Sequence, residues 1–328
     1  MNILIVHNGI IPVAGYGGTE RVVWYLGKML NKMGHRVTYL VPKGSSCPFA
    51  KVIFIDKEKD IRKQIPENTD VVHFFTESCS FEMNKPYIFT MEGNRNNQTP
   101  LDKNTVFVSR NHALRFGSGS FVYNGLDWDD YGKVAFTHSR PYFHFLGDAA
   151  WHVKNVQGAI GVVLQTKQEK LKVLGGKRLN FRMGFRFTLS PRISFCGTVG
   201  GEKKNRLLAN SKGLIFPVRW HEPFGLAITE SLYFGCPVFG TPYGSLPEIV
   251  TKEVGYLSNN KNDLSQAIAQ SEGFDKRKCH EYAVEYFNAQ RMAERYLEKY
   301  ETVLNGNSLN QKSPVLQKVQ KEKYLAWN

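Results

Sequence analysis

Short apolar runs alternate along this chain with longer segments whose apolar residues recur at helical spacing. Val22, Val23, Leu26, Met29 and Leu30 show that spacing and predict a helix after the first apolar run. In the first part of the chain, the runs that predict strands are 2–7, 36–41, 51–55, 71–75, 87–91, 105–108 and 121–123. Strands that alternate with helices in this way indicate a doubly wound α/β domain with a parallel sheet.

The alternation stops at a polar segment, residues 124–141, and then starts again. Such a segment is typical of an interdomain connection. The later part of the chain predicts strands at 142–146, 171–174, 193–196, 213–216 and 237–240, and helices at 155–165, 202–209, 226–234, 263–270, 276–287 and 291–304. We therefore expect one domain at 1–138, a second at 139–290, and a C-terminal helix with a basic tail at 291–328 that packs back toward the first domain.

Two carboxylates, Glu222 and Glu230, lie eight positions apart at the transition from a predicted strand to a predicted helix. A loop at the carboxyl end of a parallel strand is where open α/β sheets bind ligands. Pro223 suits a first helical position, so we expect the helix to begin there and the backbone N–H groups of 224–226 to form an anion site. A carboxylate beside an anion site fits a ligand that carries both hydroxyls and phosphate, as a nucleotide sugar does.

The chain is strongly basic, since 43 Lys and Arg against 29 Asp and Glu give a net charge of +14. One basic stretch, 167–186, contains a single acid, Glu169, and further lysines lie in the last residues of the chain. This excess predicts either a solvated surface or attraction to an anionic partner such as a membrane surface. We expect no nucleic acid, because basic and aromatic residues do not interleave as they do in RNA-binding sheets.

Composition and motifs argue against several other classes. The five cysteines are scattered and form no C-x-x-C pair, which favours a reduced, cytoplasmic protein. No run approaches about 18 apolar residues, and the N-terminus lacks the basic lead of a signal peptide. No G-x-G-x-x-G follows the first strand, which argues against a dehydrogenase. Asp127-Trp128-Asp129 lies at the predicted hinge, and the histidines show no zinc-ligand spacing, so we expect no metal.

The ordered motifs resemble retaining glycosyltransferases of family 4, a group 1 family, over about residues 1–300. The resemblance rests on Gly17-Gly18-Thr19-Glu20, Asn124-Gly125-Leu126-Asp127, Lys154-Asn155 and the block from Glu222 to Glu248. It implies the GT-B fold, in which two Rossmann-like, doubly wound parallel-sheet domains face each other across a cleft.

The resemblance also implies roles for individual residues. Glu222 would bind the hydroxyls of the donor sugar, Glu230 the ribose, and Lys154 the phosphates. The donor-binding residues it implies are Gly17, Gly18, Gly197, Thr198, Phe224, Gly225, Leu226 and Glu230, and we add Arg219 to this set.

The chain departs from the family at two positions. Asp148 stands where the family has an arginine, and we predict that Arg219 replaces it. The family's histidine near residue 91 is absent, which leaves Glu92 or His73 as the catalytic group on the acceptor side.

The function that the resemblance implies is transfer of a hexose, with retention, from a UDP- or GDP-linked sugar to a hydroxyl of a glycan or lipid-linked acceptor. It would use no metal or other cofactor and would serve polysaccharide biosynthesis, in the cytoplasm or peripherally on a membrane. Two alternatives are open: a sugar-nucleotide epimerase on the same fold, and a non-catalytic basic protein that binds anionic surfaces. The sequence leaves the base, the sugar, the linkage and the oligomeric state open.

Overall fold

The computed structural model describes residues 1–13, 15, 17–76, 82–181, 183 and 185–328. The chain divides into two compact units, Met1–Asp127 with Phe287–Gln320, and Trp128–Tyr286 with Lys321–Asn328. The first boundary thus lies at 127, against 138 in the sequence analysis. Asp127 forms an ion pair with Lys28 of the first unit (2.8 Å), whereas the ring of Trp128 stacks on Tyr233 of the second (centroids 4.4 Å apart).

Strands and helices alternate along both units. In chain order they are β1 (Asn2–Val6), α1 (Thr19–Lys32), β2 (Arg36–Val41), β3 (Lys51–Phe54), β4 (Val71–Phe74), β5 (Tyr87–Met91), β6 (Thr105–Phe107), α2 (Arg110–Arg115), β7 (Tyr142–Leu146), α3 (Val156–Gln165), β8 (Leu171–Leu174), β9 (Leu179–Asn180), β10 (Arg186–Phe187), β11 (Ile193–Phe195), α4 (Gly201–Ala209), β12 (Ser211–Phe216), α5 (Leu226–Tyr233), β13 (Val238–Gly240), α6 (Leu246–Ile249), β14 (Gly255–Leu257), α7 (Lys261–Ala269), α8 (Lys276–Tyr286) and α9 (Ala289–Leu304). Single turns of 3₁₀-helix lie at Ile61–Gln64, Trp128–Tyr131, His152–Lys154 and Ser271–Gly273.

The first unit contains a parallel six-stranded sheet in the order β3-β2-β1-β4-β5-β6. The strand order reverses between β1 and β4, so the loops that follow these two strands diverge and leave a crevice at the carboxyl edge. The strand predicted at 121–123 is wrong, because Phe121 makes only an isolated bridge to Phe107. The short helix α2 was not predicted; Ser109 caps it by accepting a hydrogen bond from the His112 N–H.

The second unit repeats the topology, with the order β11-β8-β7-β12-β13-β14 and a reversal between β7 and β12. Its core is formed by residues on α3, α7 and the central strands, among them Phe143, Ile215 and Phe239. The predicted strands and helices of this unit are confirmed. The sequence analysis missed the short elements α6 and β14, and also β9 and β10, which form an antiparallel hairpin between β8 and β11.

The C-terminal segment is divided between the two units. Helix α9 and the residues up to Gln320 belong to the first unit, whereas the last eight residues, 321–328, belong to the second. Leu325 N–H donates to the Arg219 carbonyl (2.9 Å), and Trp327 packs against the core of the second unit. The sequence analysis did not predict that residues 321–328 belong to the second unit. No helix in the described part of the chain has the length and apolar character needed to cross a membrane.

Candidate active site

Lys154 and Glu222 meet at the point where the second sheet reverses its strand order. Strands β7 and β12 are parallel neighbours, so the loops that follow them leave the same edge of the sheet. Lys154 lies in the first loop and Glu222 in the second, and Lys154 Nζ is 2.7 Å from Glu222 Oε2. The Trp220 indole N–H donates to the same oxygen at 2.7 Å. The structure therefore brings together two residues that are 68 positions apart in the sequence.

The pair is buried, since Glu222 is only 6% exposed. A buried carboxylate is tolerated when a cation and hydrogen bonds compensate its charge, and Lys154 and Trp220 supply both. The Lys154 ammonium also lies over the Trp220 ring, 4.8 Å from its centroid, which adds a cation–π contact. Glu222 Oε1 makes no hydrogen bond within the described residues, so this oxygen is available to a ligand hydroxyl.

Asn155 ties the two loops together. It adopts the left-handed conformation (φ 55°), and its side chain caps α3 by accepting from the Gly158 N–H at 3.0 Å. The same side chain donates to the Pro217 carbonyl at 2.9 Å, just after β12. The backbone N–H of Arg219 also donates to the Val153 carbonyl at 2.7 Å. These bonds fix the spacing between Lys154 and Glu222.

Helix α5 begins at Leu226, and the predicted start near Pro223 is wrong. Gly225 has φ 87°, a conformation that a right-handed helix cannot contain, and it serves as the N-cap. The first N–H groups of the helix therefore belong to Leu226 and the residues after it, and Phe224 is buried. No side chain of the described residues caps this end, so the predicted anion site moves to the first turn that starts at Leu226.

Glu230 is held in a buried cluster that the sequence did not predict. It is 1% exposed, and its Oε1 accepts a hydrogen bond from Tyr131 Oη (2.9 Å) and forms an ion pair with Lys204. The Lys204 ammonium also lies over the Tyr131 ring. Tyr131 and Lys204 come from two distant segments, and no spacing in the sequence pointed to them. A ribose hydroxyl would have to bind the other oxygen of Glu230 or displace one of these partners.

Two other predicted donor residues lie away from the ion pair. Gly197 and Thr198 follow β11, the edge strand, which β8 separates from β7. Gly197 adopts φ 70° and donates its N–H to the Gly176 carbonyl, and Thr198 is exposed. They lie at the carboxyl edge of the same sheet as Lys154 and Glu222.

The prediction that Arg219 takes the place of the family's arginine is not supported. Its Nε donates to the Leu325 carbonyl (2.9 Å), and its guanidinium lies over the Tyr324 ring, so the C-terminal segment occupies this side chain. The guanidinium beside the Asp148 loop is that of Arg186, on β10, which donates to the Ala149 carbonyl at 2.8 Å. Burial lowers the pKa of Arg186, and the charge of Asp148 partly offsets this effect. Because Arg186 belongs to the unpredicted hairpin, sequence reasoning missed it.

In the first unit, the structure contradicts a catalytic role for His73. This residue lies within β4 and is fully buried. Its Nδ1 is 2.8 Å from Tyr300 Oη, and its Nε2 is 2.7 Å from Thr90 Oγ1, so both ring nitrogens have partners inside the core. Burial lowers the pKa of His73 to about 3, and the ring therefore stays neutral. His73 is a packing residue.

Glu92 directly follows β5, at the carboxyl edge of the first sheet. Its Oε2 accepts a hydrogen bond from Asn124 Nδ2 (2.9 Å), whereas its Oε1 is buried without a partner among the described residues. Burial raises the pKa of Glu92 to about 7; the Asn124 bond opposes the shift, and the charge of Glu20 adds to it. A carboxyl group that titrates near neutral pH is suited to proton transfer.

Glu20 is the second carboxylate of this edge, and its pKa is shifted the other way. His7 Nε2 lies 3.9 Å from Glu20 Oε1, and the His7 side chain lowers the pKa of Glu20. A Cβ atom on Gly17 would lie 2.7 Å from Glu20 Oε2, so the glycine leaves room for the carboxylate. Gly18 is exposed at the start of α1. Two nearby carboxyl groups with pKa values pushed apart are typical of acid–base sites.

The described residues contain no group of three or more His, Cys, Asp or Glu side chains that would hold a metal ion. In the Asp127-Trp128-Asp129 motif, Asp127 Oδ2 is 2.8 Å from Lys28 Nζ and 3.5 Å from Lys32 Nζ. This carboxylate thus takes part in the packing of α1.

Comparisons with known proteins bear on the fold and on the second unit. Residues 140–271 match the family described as glycosyl transferases group 1. The structure is similar to AviGT4, a glycosyltransferase involved in avilamycin A biosynthesis, with a TM-score of 0.75 and 21% identity over 93% of this chain and 98% of that one. It is also similar to sucrose-phosphate synthase from Thermosynechococcus elongatus (TM-score 0.70, 16% identity, 93% and 100% covered).

A third similar structure is HepE from Anabaena in complex with UDP and glucose (TM-score 0.67, 15% identity, 92% and 99% covered). A search of curated protein sequences finds no match. The chain has the GT-B fold, and residues 140–271 of its second unit match the group 1 glycosyltransferase family.

Gly244 supports the Glu222 loop and provides a test of its geometry. Gly244 has φ 64°, and a Cβ atom there would lie 2.3 Å from both the backbone N and O of Glu222. We expect Gly244→Ala to lower the free energy of unfolding by about 1–2 kcal/mol for the left-handed conformation and by about 1–3 kcal/mol more for the clash. Donor binding should weaken as Glu222 shifts. Urea unfolding and a donor-binding assay measure both effects.

Gly306→Ala is the matched control for Gly244→Ala. Gly306 has φ 76°, but a Cβ atom there would meet nothing within 4 Å. It should show the conformational cost without the clash and should leave donor binding unchanged. Equal losses in the two variants would contradict the proposed contact.

The opposite pKa shifts of Glu92 and Glu20 predict opposite pH dependences. The pKa of Glu92 is higher in the folded state, so ionisation costs stability as the pH rises from about 4.5 to 7. Relative to wild type, Glu92→Gln should therefore gain about 3 kcal/mol of unfolding free energy between pH 4.5 and pH 8. Glu20→Gln should instead lose stability relative to wild type as the pH rises toward 4.5, the ordinary pKa of a glutamate, because the folded state favours the ionised form of Glu20. Parallel curves for both variants and wild type would refute the assignment.

Proposed function

We propose that this chain, whose residues 140–271 match the group 1 glycosyltransferase family, transfers a hexose from a nucleotide diphosphate sugar to an acceptor hydroxyl with retention of the anomeric configuration. The observation that carries the proposal is the buried ion pair between Lys154 Nζ and Glu222 Oε2 (2.7 Å) at the strand-order reversal of the second sheet. This is the position at which open α/β sheets bind ligands. A cation for phosphate and a carboxylate for hydroxyls stand side by side there.

Different residues of the second unit bind different parts of the donor. The Glu222 carboxylate accepts hydrogen bonds from the sugar hydroxyls through Oε1. Lys154 and the first turn of α5 carry the charge of the diphosphate, because a helix N-terminus and an ammonium both stabilise anions. Glu230 accepts a ribose hydroxyl, held in place by its contacts with Tyr131 and Lys204.

The chemical step follows from these roles. The bond between the anomeric carbon and the phosphate oxygen breaks, and its electron pair stays on the leaving diphosphate. The acceptor oxygen bonds to the anomeric carbon on the same face, and its proton passes to a phosphate oxygen of the leaving group. Lys154 contributes most when negative charge develops on that group, so it stabilises the transition state more than the bound substrate.

The donor and the acceptor are assigned by chemical class. HepE, which shares the fold, was solved with UDP and glucose, and this supports a UDP-linked hexose as the donor. A GDP-linked hexose is the second candidate. We assign Glu92 to the acceptor hydroxyl because its pKa of about 7 lets it accept or donate a hydrogen bond near neutral pH. We propose that the acceptor is a glycan or a lipid-linked glycan.

A donor screen tests the proposal directly. The protein is incubated with UDP- and GDP-hexoses; binding is followed by thermal shift, since a ligand that binds only the folded state raises its stability. We expect one donor to bind and to release its nucleoside diphosphate, with the α-configured donor giving an α-configured product by NMR. Interconversion of the sugar without release would identify an epimerase instead. Absence of binding by every donor would overturn the proposal.

A matched pair of lysine variants tests the role of Lys154. Lys154→Ala should lower kcat about 10²–10³-fold, the loss seen when one charge-stabilising group is removed from a transition state. Lys212 forms a similar ion pair with Glu169 (2.8 Å), but it lies at the opposite end of β12. Lys212→Ala should therefore leave kcat within about twofold of wild type, because no donor role is assigned to that end of the strand.

A control on folding is needed because Lys154→Ala leaves a buried carboxylate without its cation. The double variant Lys154→Ala/Glu222→Gln removes both charges and should restore the unfolding temperature without restoring turnover. If Lys154→Ala retains full turnover, Lys154 is not the phosphate-binding group.

A further inference from the structure

The β9–β10 hairpin turns its apolar side chains toward solvent. In this antiparallel pair Phe187 is opposite Leu179 and Arg186 is opposite Asn180, so Leu179 and Phe187 share one face. The odd positions from 179 to 189 are all large and apolar, and their exposure ranges from 45% at Leu179 to 80% at Leu189. They are Leu179, Phe181, Met183, Phe185, Phe187 and Leu189.

The opposite face of the hairpin is polar and is fixed to the second unit. Arg186 donates to the carbonyls of Ala149 and Lys177, and Arg178 donates to those of Thr188 and Ile193. A half-buried strand normally turns its apolar residues inward. Here the inward side chains are arginines that donate to these backbone carbonyls, so the apolar face cannot be turned inward without breaking those hydrogen bonds. The outward apolar face is therefore built into the hairpin.

Exposed lysines lie on the hairpin and in the segment beside it. Lys177, just before β9, is exposed, as are Lys321 and Lys323 in the C-terminal segment. Tyr324 and Phe185 line the same cavity of about 90 Å³, which places the segment containing these lysines beside the hairpin. Glu322 is the one acid between the two tail lysines.

We propose that this surface, the apolar face of the β9–β10 hairpin with Lys177, Lys321 and Lys323, docks the second unit on an anionic membrane. A contiguous apolar patch on a protein surface marks an interaction site. Aromatic and aliphatic side chains flanked by lysines match the boundary between acyl chains and anionic headgroups. A second copy of the chain fits less well, because two such surfaces would bring like charges together. This inference goes beyond the proposed transfer and does not depend on it.

Vesicle flotation of the full chain tests the apolar part. Wild type should bind vesicles of phosphatidylcholine mixed with phosphatidylglycerol more tightly than vesicles of phosphatidylcholine alone. Phe181→Ser/Phe185→Ser should lower the partition coefficient about tenfold or more, since each phenylalanine contributes the burial of a large apolar side chain. Phe54→Ser/Tyr256→Ser is the control: Phe54 and Tyr256 are 50% and 43% exposed but lie outside the hairpin, so binding should not change.

Lysine variants test the charged part. Lys321→Gln/Lys323→Gln should weaken binding to the anionic vesicles by about fivefold per lysine, and added salt should weaken wild-type binding. The control Lys57→Gln/Lys103→Gln removes two exposed lysines of the first unit and should have no effect.

Three results would overturn the inference. If wild type binds neither vesicle type but still binds the donor in the thermal-shift assay, the membrane inference fails and the proposed function does not. The phenylalanine variant retaining wild-type partitioning would exclude the hairpin. A wild-type dimer in sedimentation velocity that the same variant abolishes, with no vesicle binding, would identify a second copy as the partner. Unchanged unfolding temperatures confirm that each variant is folded.

Discussion

The parallel pairing of β7 with β12 is the constraint on which the candidate site depends. Because these strands run side by side and their helices leave in opposite directions, the loops after them open toward one crevice. One loop contributes a lysine and the other a carboxylate, and neither charge would be stable there alone, since each is largely buried. The Asn155 bonds across the two loops then hold the pair at hydrogen-bond distance. A ligand that brings both phosphate and hydroxyls meets a site already organised for both.

The long elements of the fold were predictable because each buries an apolar face with a regular period. The Glu222 loop was predictable for a related reason: strand, loop and helix followed one another within a short stretch of sequence. The start of α5 was not, because the preference of proline for a first helical position was overridden by the left-handed Gly225. Tyr131, Lys204 and Arg186 could not be found at all. Each reaches the site through tertiary contacts, and no local pattern records which distant side chain compensates a buried charge.

The first unit shows how position along a strand decides between packing and chemistry. His73 lies inside β4, where both faces of the sheet are covered, and its hydrogen bonds are satisfied by Thr90 and Tyr300. Glu92 lies one residue beyond the end of β5, at the carboxyl edge, and keeps one oxygen without a partner among the described residues. Both residues are polar and follow apolar runs, so their sequence signals are alike. Their roles differ because His73 lies before the end of its strand and Glu92 lies just after the end of its own. The ends of strands are the features that a sequence predicts least well.

The structure shows which basic residues behind the net charge of +14 make internal contacts and which are exposed. Lys154 and Lys204 compensate buried carboxylates, and Arg178, Arg186 and Arg192 donate to backbone carbonyls, so these five charges hold the second unit together. Two of them, Arg178 and Arg186, fall in the stretch 167–186 whose charge first suggested an anionic partner. The charge of that stretch is therefore only partly internal, because Lys167, Lys170 and Lys177 are exposed. Among the exposed basic residues, Lys177, Lys321 and Lys323 lie beside an apolar face. This combination specifies one surface for a partner, which net charge alone does not do.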